Sequence, residues 1–581
     1  MEGKISLTEV RQKMASKKLD KYIQPRSDMY GGEEVPAYDE RLKFLSGFTG
    51  SAGISIITLK NAILFVDGRY LLQAKMQVTN DWTIMPLFKE SWIDWIVKNS
   101  STGEKIGYDP WLIRVNDINS LNRKLDKKGI KLQPGKKNFI DSIWKDRPKI
   151  YQNDPRVWDK KYFPIEKSKK INQLIKEMRS KSLDALIITQ PNQLCWLLNI
   201  RGDDLKYSPL FLGFLVIEKN GKINIFSRNK NKNLQNLYAN NYFSNLIPYI
   251  EKFKNQKVAI NINYCPSIIF EKLKESNVEI DQNFIFLQEA STIKNKNEII
   301  FIRKCHIRDG AALIKFLHWI EKEIPSNKIS EYQASCKLKE YRSYDKNFIS
   351  ESFPSIVATG GNGAIIHYRP MKDKSKIISK EKLFLIDSGG QYFDGTTDIT
   401  RTISFKNQPQ DIINKYTYVL KAHIAMAKLK FKTTTRGNEI DSIVRSKLWE
   451  AGLDYDHGTG HGVGYCLGVH EFPPVISKNT SLPLKAGQLL SNEPGYYVKD
   501  KFGIRLENLV IVQNCVSNDK EFFEFETVSL CHFERNLINK NLLDKDEIMW
   551  INKYHKFVYL NLKVLLNTKE KQWLKRKTEK I

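Results

Sequence analysis

Disulfide chemistry has little to work with in this chain of 581 residues. Its seven cysteines (Cys195, Cys265, Cys305, Cys336, Cys466, Cys515, Cys531) are scattered, odd in number and nowhere spaced C-x-x-C. That argues against a disulfide framework or a zinc ribbon and favours a reducing compartment. Long apolar runs are also missing, and none approaches the roughly eighteen residues of a membrane-spanning helix. The opening stretch MEGKISLTEVRQKMASKK has no apolar centre and mixes acids with bases, unlike a secretory or organellar leader. A soluble, cytoplasmic protein is expected. Acidic residues are outnumbered, 65 against 93 Lys and Arg, for a formal charge of +28. The lysines are dispersed among asparagine and isoleucine, and only the tail Lys569–Lys580 clusters, interrupted by Glu570 and Trp573. This pattern predicts a solvated basic surface, with neither nucleic acid nor membrane as a partner.

What is present is ordinary globular material, 41% apolar and 11% aromatic, too long for one core and fit for two to four domains. One internal echo stands out. MASKKLDKYI from Met14 resembles MRSKSLDALI from Met178, and in the second case Ile171, Leu174, Ile175 and Met178 recur at helical spacing. Each copy leads to an aromatic-apolar patch and then to paired β-branched runs, ISIITLKNAILFVDGRY and GFLVIEKNGKINIF. Two related α/β domains, about 1–150 and 158–290, are predicted, separated by WKDRPKIYQNDPRVW. A third, 295–581, opens with the helical pattern IIFIRKCHIRDGAALIKFLHWIEKEI. It closes with a helix whose start, Asp544 with Glu547, has the form of a capping box.

The chemistry concentrates in the third domain. In LFLIDSGGQYFDGTTDITRTISF an apolar strand ends in Asp387, and a threonine-rich run carries Asp398. In QLLSNEPGYYVKDKFGIRLENLVIV, Glu493 follows an apolar run, and Arg505 and Glu507 share a face of a strand-like stretch. A buried lone carboxylate costs several kcal/mol unless a cation or several donors compensate. Four such carboxylates, with a histidine from HGTGHGVGYCLGVHE, make an oxygen-rich donor set with one nitrogen. That set suits Mn²⁺, Co²⁺ or Zn²⁺, and its charge balances two divalent ions with a hydroxide between them.

These motifs, in this order, resemble the dinuclear metallopeptidases of pita-bread fold, and most closely the Xaa-Pro aminopeptidases in their long, three-domain cytosolic form. The resemblance extends to SGFTGSAG and VDGRY in the first domain and to IIHYRP before Asp387. It implies an α/β (α+β) architecture of two creatinase-type domains followed by a pita-bread catalytic domain with a C-terminal helical extension. It implies two metal ions, Mn²⁺ first, with Asp387 chelating one, Asp398 and Glu507 bridging, and His461 and Glu493 completing the second. Glu493 would shuttle protons, and His367 and His470 would stabilise the oxyanion. His457, His470 and Arg505 would face the substrate or hold the ligands, with the loop glycines letting backbone pass close to metals and peptide. Arg69, in VDGRY, would also reach substrate, from the partner subunit of a homodimer.

Plainer roles remain open for three of these: His367 could be a structural histidine before an Arg-Pro turn, His457 could stabilise the glycine loop, and Arg69 could pair with Asp67. The chain departs from the family after the His-Glu pair, where Phe472-Pro473-Pro474 replaces the frequent glycine and puts the pocket beyond the proline in question. Removal of an N-terminal residue preceding proline is the expected activity. A prolidase acting on Xaa-Pro dipeptides and an inactive binding protein of the same fold are the alternatives.

Overall fold

The periodic segment around Met178 folds, in the computed structural model, as the helix Lys167–Ser180, which buries Leu174, Ile175 and Met178. The structure describes residues 2–163, 165–230, 234, 238–515 and 521–581. They divide into two compact units, Met1–Leu287 and Gln288–Ile581.

The first unit contains two six-stranded sheets. One runs Trp82–Pro86, Ala62–Val66, Gly53–Thr58, Lys21–Pro25, Lys105–Tyr108, Lys131–Pro134. The other runs Ala239–Tyr242, Ile223–Ser227, Phe214–Glu218, Ala185–Ile188, Lys257–Ile260, Glu279–Asp281. In both, the central strand pairings are antiparallel and the outer ones parallel. The helices Glu2–Ser16 and Lys167–Ser180 lead into the equivalent strands Lys21–Pro25 and Ala185–Ile188. The internal echo therefore marks a repeated topology. These strands are buried at every position, as expected where packed elements cover both faces of a sheet.

The first long helix of the second unit is Lys296–Glu323, started by a capping box between Asn295 and Glu298. Its largest sheet runs Lys430–Lys432, Phe522–Thr527, Asn508–Asn514, Leu489–Asn492, Gly460–Gly462, Glu471–Ile476. A three-stranded sheet joins Ile356–Thr359, Phe384–Ser388 and Ile399–Ile403. Helices Gln410–Ala427 and Lys545–Leu562 contribute Val419, Leu420, Ile551 and Val558 to the core shared with these strands. The capping box of Asp544 and Glu547 is present.

The basic tail is less of a free cluster than its composition suggests. Thr568–Lys577 is a helix with Trp573 and Leu574 buried, and Lys577 pairs with Glu321 at 2.8 Å. Among the described residues, no helix is long and apolar enough to cross a membrane.

Candidate metal centre

Strand register assembles the centre. Phe384–Ser388 and Ile399–Ile403 pair antiparallel with Asp387 opposite Thr400. Asp398 lies just before the second strand rather than within it, and Glu507 sits at the junction of Phe502–Arg505 and Asn508–Asn514 rather than inside one strand. Glu493 follows the strand Leu489–Asn492, which pairs with Asn508–Asn514, so the two glutamates end neighbouring strands. His461 lies on Gly460–Gly462 in the same sheet.

Ligand atoms of Asp398, His461 and Glu507 lie within 4.8 Å of one another. His461 Nε2 stands 3.6 Å from Asp398 Oδ2 and 3.5 Å from Glu493 Oε1. Its Nδ1 is 3.0 Å from the Gly462 carbonyl, which can only accept. The proton is therefore on Nδ1, and the Nε2 lone pair faces the carboxylates. Asp387 joins through Arg505, whose Nη2 donates to Asp387 Oδ2 at 2.6 Å.

The electrostatics demand positive charge. Asp387, Asp398 and Glu507 are 8%, 4% and 1% exposed. Burial, then the charges of Glu507, Asp387 and Glu493, drive the Asp398 carboxyl well above its ordinary range. Burial and the charges of Glu493 and Asp387 do the same to Glu507. Burial also raises Glu493, to about 7, with the Arg505 charge opposing and Asp387 reinforcing. Asp387 Oδ1 and Asp398 Oδ1 are buried and accept no hydrogen bond. Stranded carboxylate oxygens beside an imidazole lone pair fit divalent cations, and no thiol is part of the cluster.

Surrounding side chains fix this set. Thr400 Oγ1 donates to Glu507 Oε2 at 2.7 Å and accepts from Arg505 Nε at 3.3 Å. Ser491 Oγ donates to Glu493 Oε1 at 3.2 Å and accepts from the His461 backbone N–H. Arg401 Nη1 donates to the Glu507 carbonyl at 2.6 Å. His423, given no role from the sequence, brackets Glu507: it holds the Leu506 carbonyl through Nδ1 and accepts from Asn508 Nδ2 at Nε2. Burial and the Arg401 charge pull its pKa down to about 3, so it stays neutral.

The other predicted residues fall into three groups. The His470 ring packs edge-on against His461, with centroids 4.3 Å apart. His367 lies in the turn after Gly360–Ala364, and the carbonyl of the preceding Ile366 accepts from Arg505 Nη2 at 3.3 Å. His457 stands one layer back. Its Nε2 accepts from Tyr497 Oη at 2.8 Å, and Tyr497 Oη accepts from Arg505 Nη1 at 2.8 Å. Tyr497, from NEPGYY, thus links His457 to the arginine that grips Asp387.

Arg69 belongs to the first unit, where its Nε donates to Asp67 Oδ1 at 2.7 Å. The loop glycines serve chain packing more directly than substrate. A Cβ on Gly460 would collide with the Ser491 carbonyl, and one on Gly462 with that of Glu471. Glu471 itself forms a buried ion pair with Lys294, a partner remote in sequence.

Fold and centre together define a metallopeptidase, and the chain belongs to metallopeptidase family M24, whose family description it matches over residues 301–514. The creatinase/prolidase N-terminal domain is matched twice, at 7–141 and 146–298, and the C-terminal region of peptidase M24 at 521–581. A probable Xaa-Pro aminopeptidase P of Laccaria bicolor is 37% identical across 98% of this chain and 92% of its own length. Xaa-Pro aminopeptidase 1 of Dictyostelium discoideum is 37% identical across 99% and 96%. X-prolyl aminopeptidase from Caenorhabditis elegans, described as a cytosolic enzyme with a di-nuclear active site, superposes with a TM-score of 0.95 at 32% identity, covering 100% of both chains. An Xaa-Pro dipeptidase from Bacillus anthracis shares the fold over 64% of this chain and 99% of its own, with a TM-score of 0.52 at 22% identity.

Proposed function

We propose that this chain is a metal-dependent aminopeptidase that hydrolyses the bond between an N-terminal residue and a following proline. The observation that carries the reading is the cluster of Asp398, His461 and Glu507, with buried Asp387 and half-buried Glu493 close enough to act on its charges, in an M24 chain whose full-length relatives bear the Xaa-Pro aminopeptidase name. Asp387, Asp398, His461, Glu493 and Glu507 would hold two divalent ions, Mn²⁺ by first expectation and Co²⁺ or Zn²⁺ as alternatives. When bound, such ions neutralise the carboxylates and lower the pKa of water, so that a nucleophile is available near neutral pH.

The chain's own groups supply the rest. Glu493 Oε1, held by Ser491, takes the proton of the attacking water and returns it to the proline nitrogen as the bond breaks. His470, edge-on to His461, donates to the oxygen that gains negative charge, with His367 as the second donor. Arg505 orients Asp387 and positions Tyr497 and His457 beside the cleft.

The proposal includes a cytoplasmic homodimer in which Arg69 of one subunit reaches the substrate of the other, as the VDGRY resemblance suggests. It also includes the three-part division 1–150, 158–290 and 295–581. The test is hydrolysis by the Mn²⁺-loaded protein of an Xaa-Pro-Yaa tripeptide beside an Xaa-Pro dipeptide. Release of the first residue from the tripeptide is expected. Cleavage of the dipeptide alone would establish the prolidase alternative, and cleavage of neither would leave the binding-protein one.

A further inference from the structure

An exposed phenylalanine on a protein surface is ordinary by itself. Phe472 differs because of what it touches. It follows the His-Glu pair on the strand Glu471–Ile476 and is 43% exposed. Its ring centroid lies 6.3 Å from that of His470, which lies 4.3 Å from that of His461. The three rings form a path from a half-buried ligand candidate, past a second half-buried histidine, to an apolar ring open to solvent.

The backbone beneath that ring is fixed on both sides. Glu471 pairs with Gly462 in the sheet and with Lys294 through its side chain. Gln288 Nε2 donates to the Phe472 carbonyl at 3.4 Å. The ring is therefore presented by a held strand, which lowers the entropy cost of using it as a contact.

Chain direction determines which part of a substrate can meet it. An enzyme that removes one residue leaves nothing on the amino side beyond that residue, so only the portion after the proline can extend outward. With N–Cα about 1.5 Å and consecutive Cα atoms about 3.8 Å apart, the residue after proline has its Cα about 5 Å beyond the scissile bond, and its side chain reaches farther. Phe472 lies 6.3 Å, ring to ring, from His470, the proposed oxyanion donor, a separation of the same order.

We infer that Phe472 forms the floor of a subsite for the residue following proline and selects an apolar or aromatic side chain there. The inference rests on the aminopeptidase reading and names part of its substrate class. Its chemistry is burial of two apolar faces and ring stacking, both of which a glycine at position 472 would forfeit.

The experiment compares kcat/KM of the full-length, Mn²⁺-loaded protein on Ala-Pro-Phe and Ala-Pro-Gly. The wild type is expected to favour Ala-Pro-Phe by about fivefold or more, within the range one apolar pocket supplies. In Phe472→Gly the ratio should fall to near one. Phe472→Ser repeats the comparison with a Cβ retained, and covers failure of the glycine variant to fold. Cleavage of both peptides with equal ratios in wild type and variants would overturn the subsite alone. Cleavage of neither by the wild type would overturn the aminopeptidase reading, and the subsite with it.

Discussion

Lys294→Met tests how the centre is tied to the chain segment that precedes its helices. Lys294 and Glu471 have side chains 2% and 9% exposed and form a buried ion pair. Lys294 Nζ also donates to the Thr292 carbonyl at 3.1 Å, and its backbone N–H to that of Gly487 at 2.9 Å. Methionine preserves the stem but leaves the Glu471 carboxylate without its cation. Removing one partner of a buried pair costs about 3–5 kcal/mol, mostly the desolvation of the abandoned charge. Set against an unfolding entropy of about 2.1 cal/mol/K per residue over Gln288–Ile581, this lowers Tm by about 5–8 °C. The double variant Lys294→Met/Glu471→Met removes both charges and should recover most of the loss. Melting followed by circular dichroism, with all three proteins at equal metal loading, provides the readout. A single variant within 1 °C of wild type, or a double variant no better than the single, would refute the reasoning.

Three further outcomes are expected. In chelated protein, Glu493, Asp398 and Glu507 have folded pKa values above their unfolded ones, so the folded state holds more protons as pH rises past the ordinary carboxylate range. Stability of this metal-free form then falls with rising pH from about 4.5 through about 7, by about 3 kcal/mol for Glu493 alone, and metal should abolish the slope; Tm measured across pH with and without chelator checks this. Thr400→Val removes the hydroxyl shared by Glu507 and Arg505 and should weaken metal binding by about 10–100-fold, read by metal titration. Glu493→Gln should lower kcat by about 10²–10⁴ in the tripeptide assay, with the fold intact by circular dichroism.

Much of this was legible in the sequence because it is written locally. A carboxylate that ends an apolar run, as Asp387 and Glu493 do, conflicts with its neighbours unless a cation compensates. The echo at Met14 and Met178 carries a repeated helix-to-strand step, and both sheets repeat its consequences. Thr400 could have been found the same way, since it follows Asp398 by two residues and register puts it opposite Asp387. Lys294, Arg401 and His423 could not. Each acts on a partner more than eighty residues away through contacts only the folded chain creates. Glu507 was placed within one strand because GIRLENLVIV reads as continuous. The break at Leu506–Glu507 is set by Arg401 and His423 gripping the backbone there. The loop glycines were assigned to ligand access, whereas Gly460 and Gly462 are required by neighbouring strand carbonyls.

The central claim is that Asp387, Asp398, His461, Glu493 and Glu507 act as one cation-binding unit. Calorimetric titration of chelator-stripped protein with Mn²⁺ tests it most directly. Two ions per chain are predicted for the wild type, and loss of at least one in Asp398→Asn. Absence of binding, or a stoichiometry untouched by that substitution, would contradict the account.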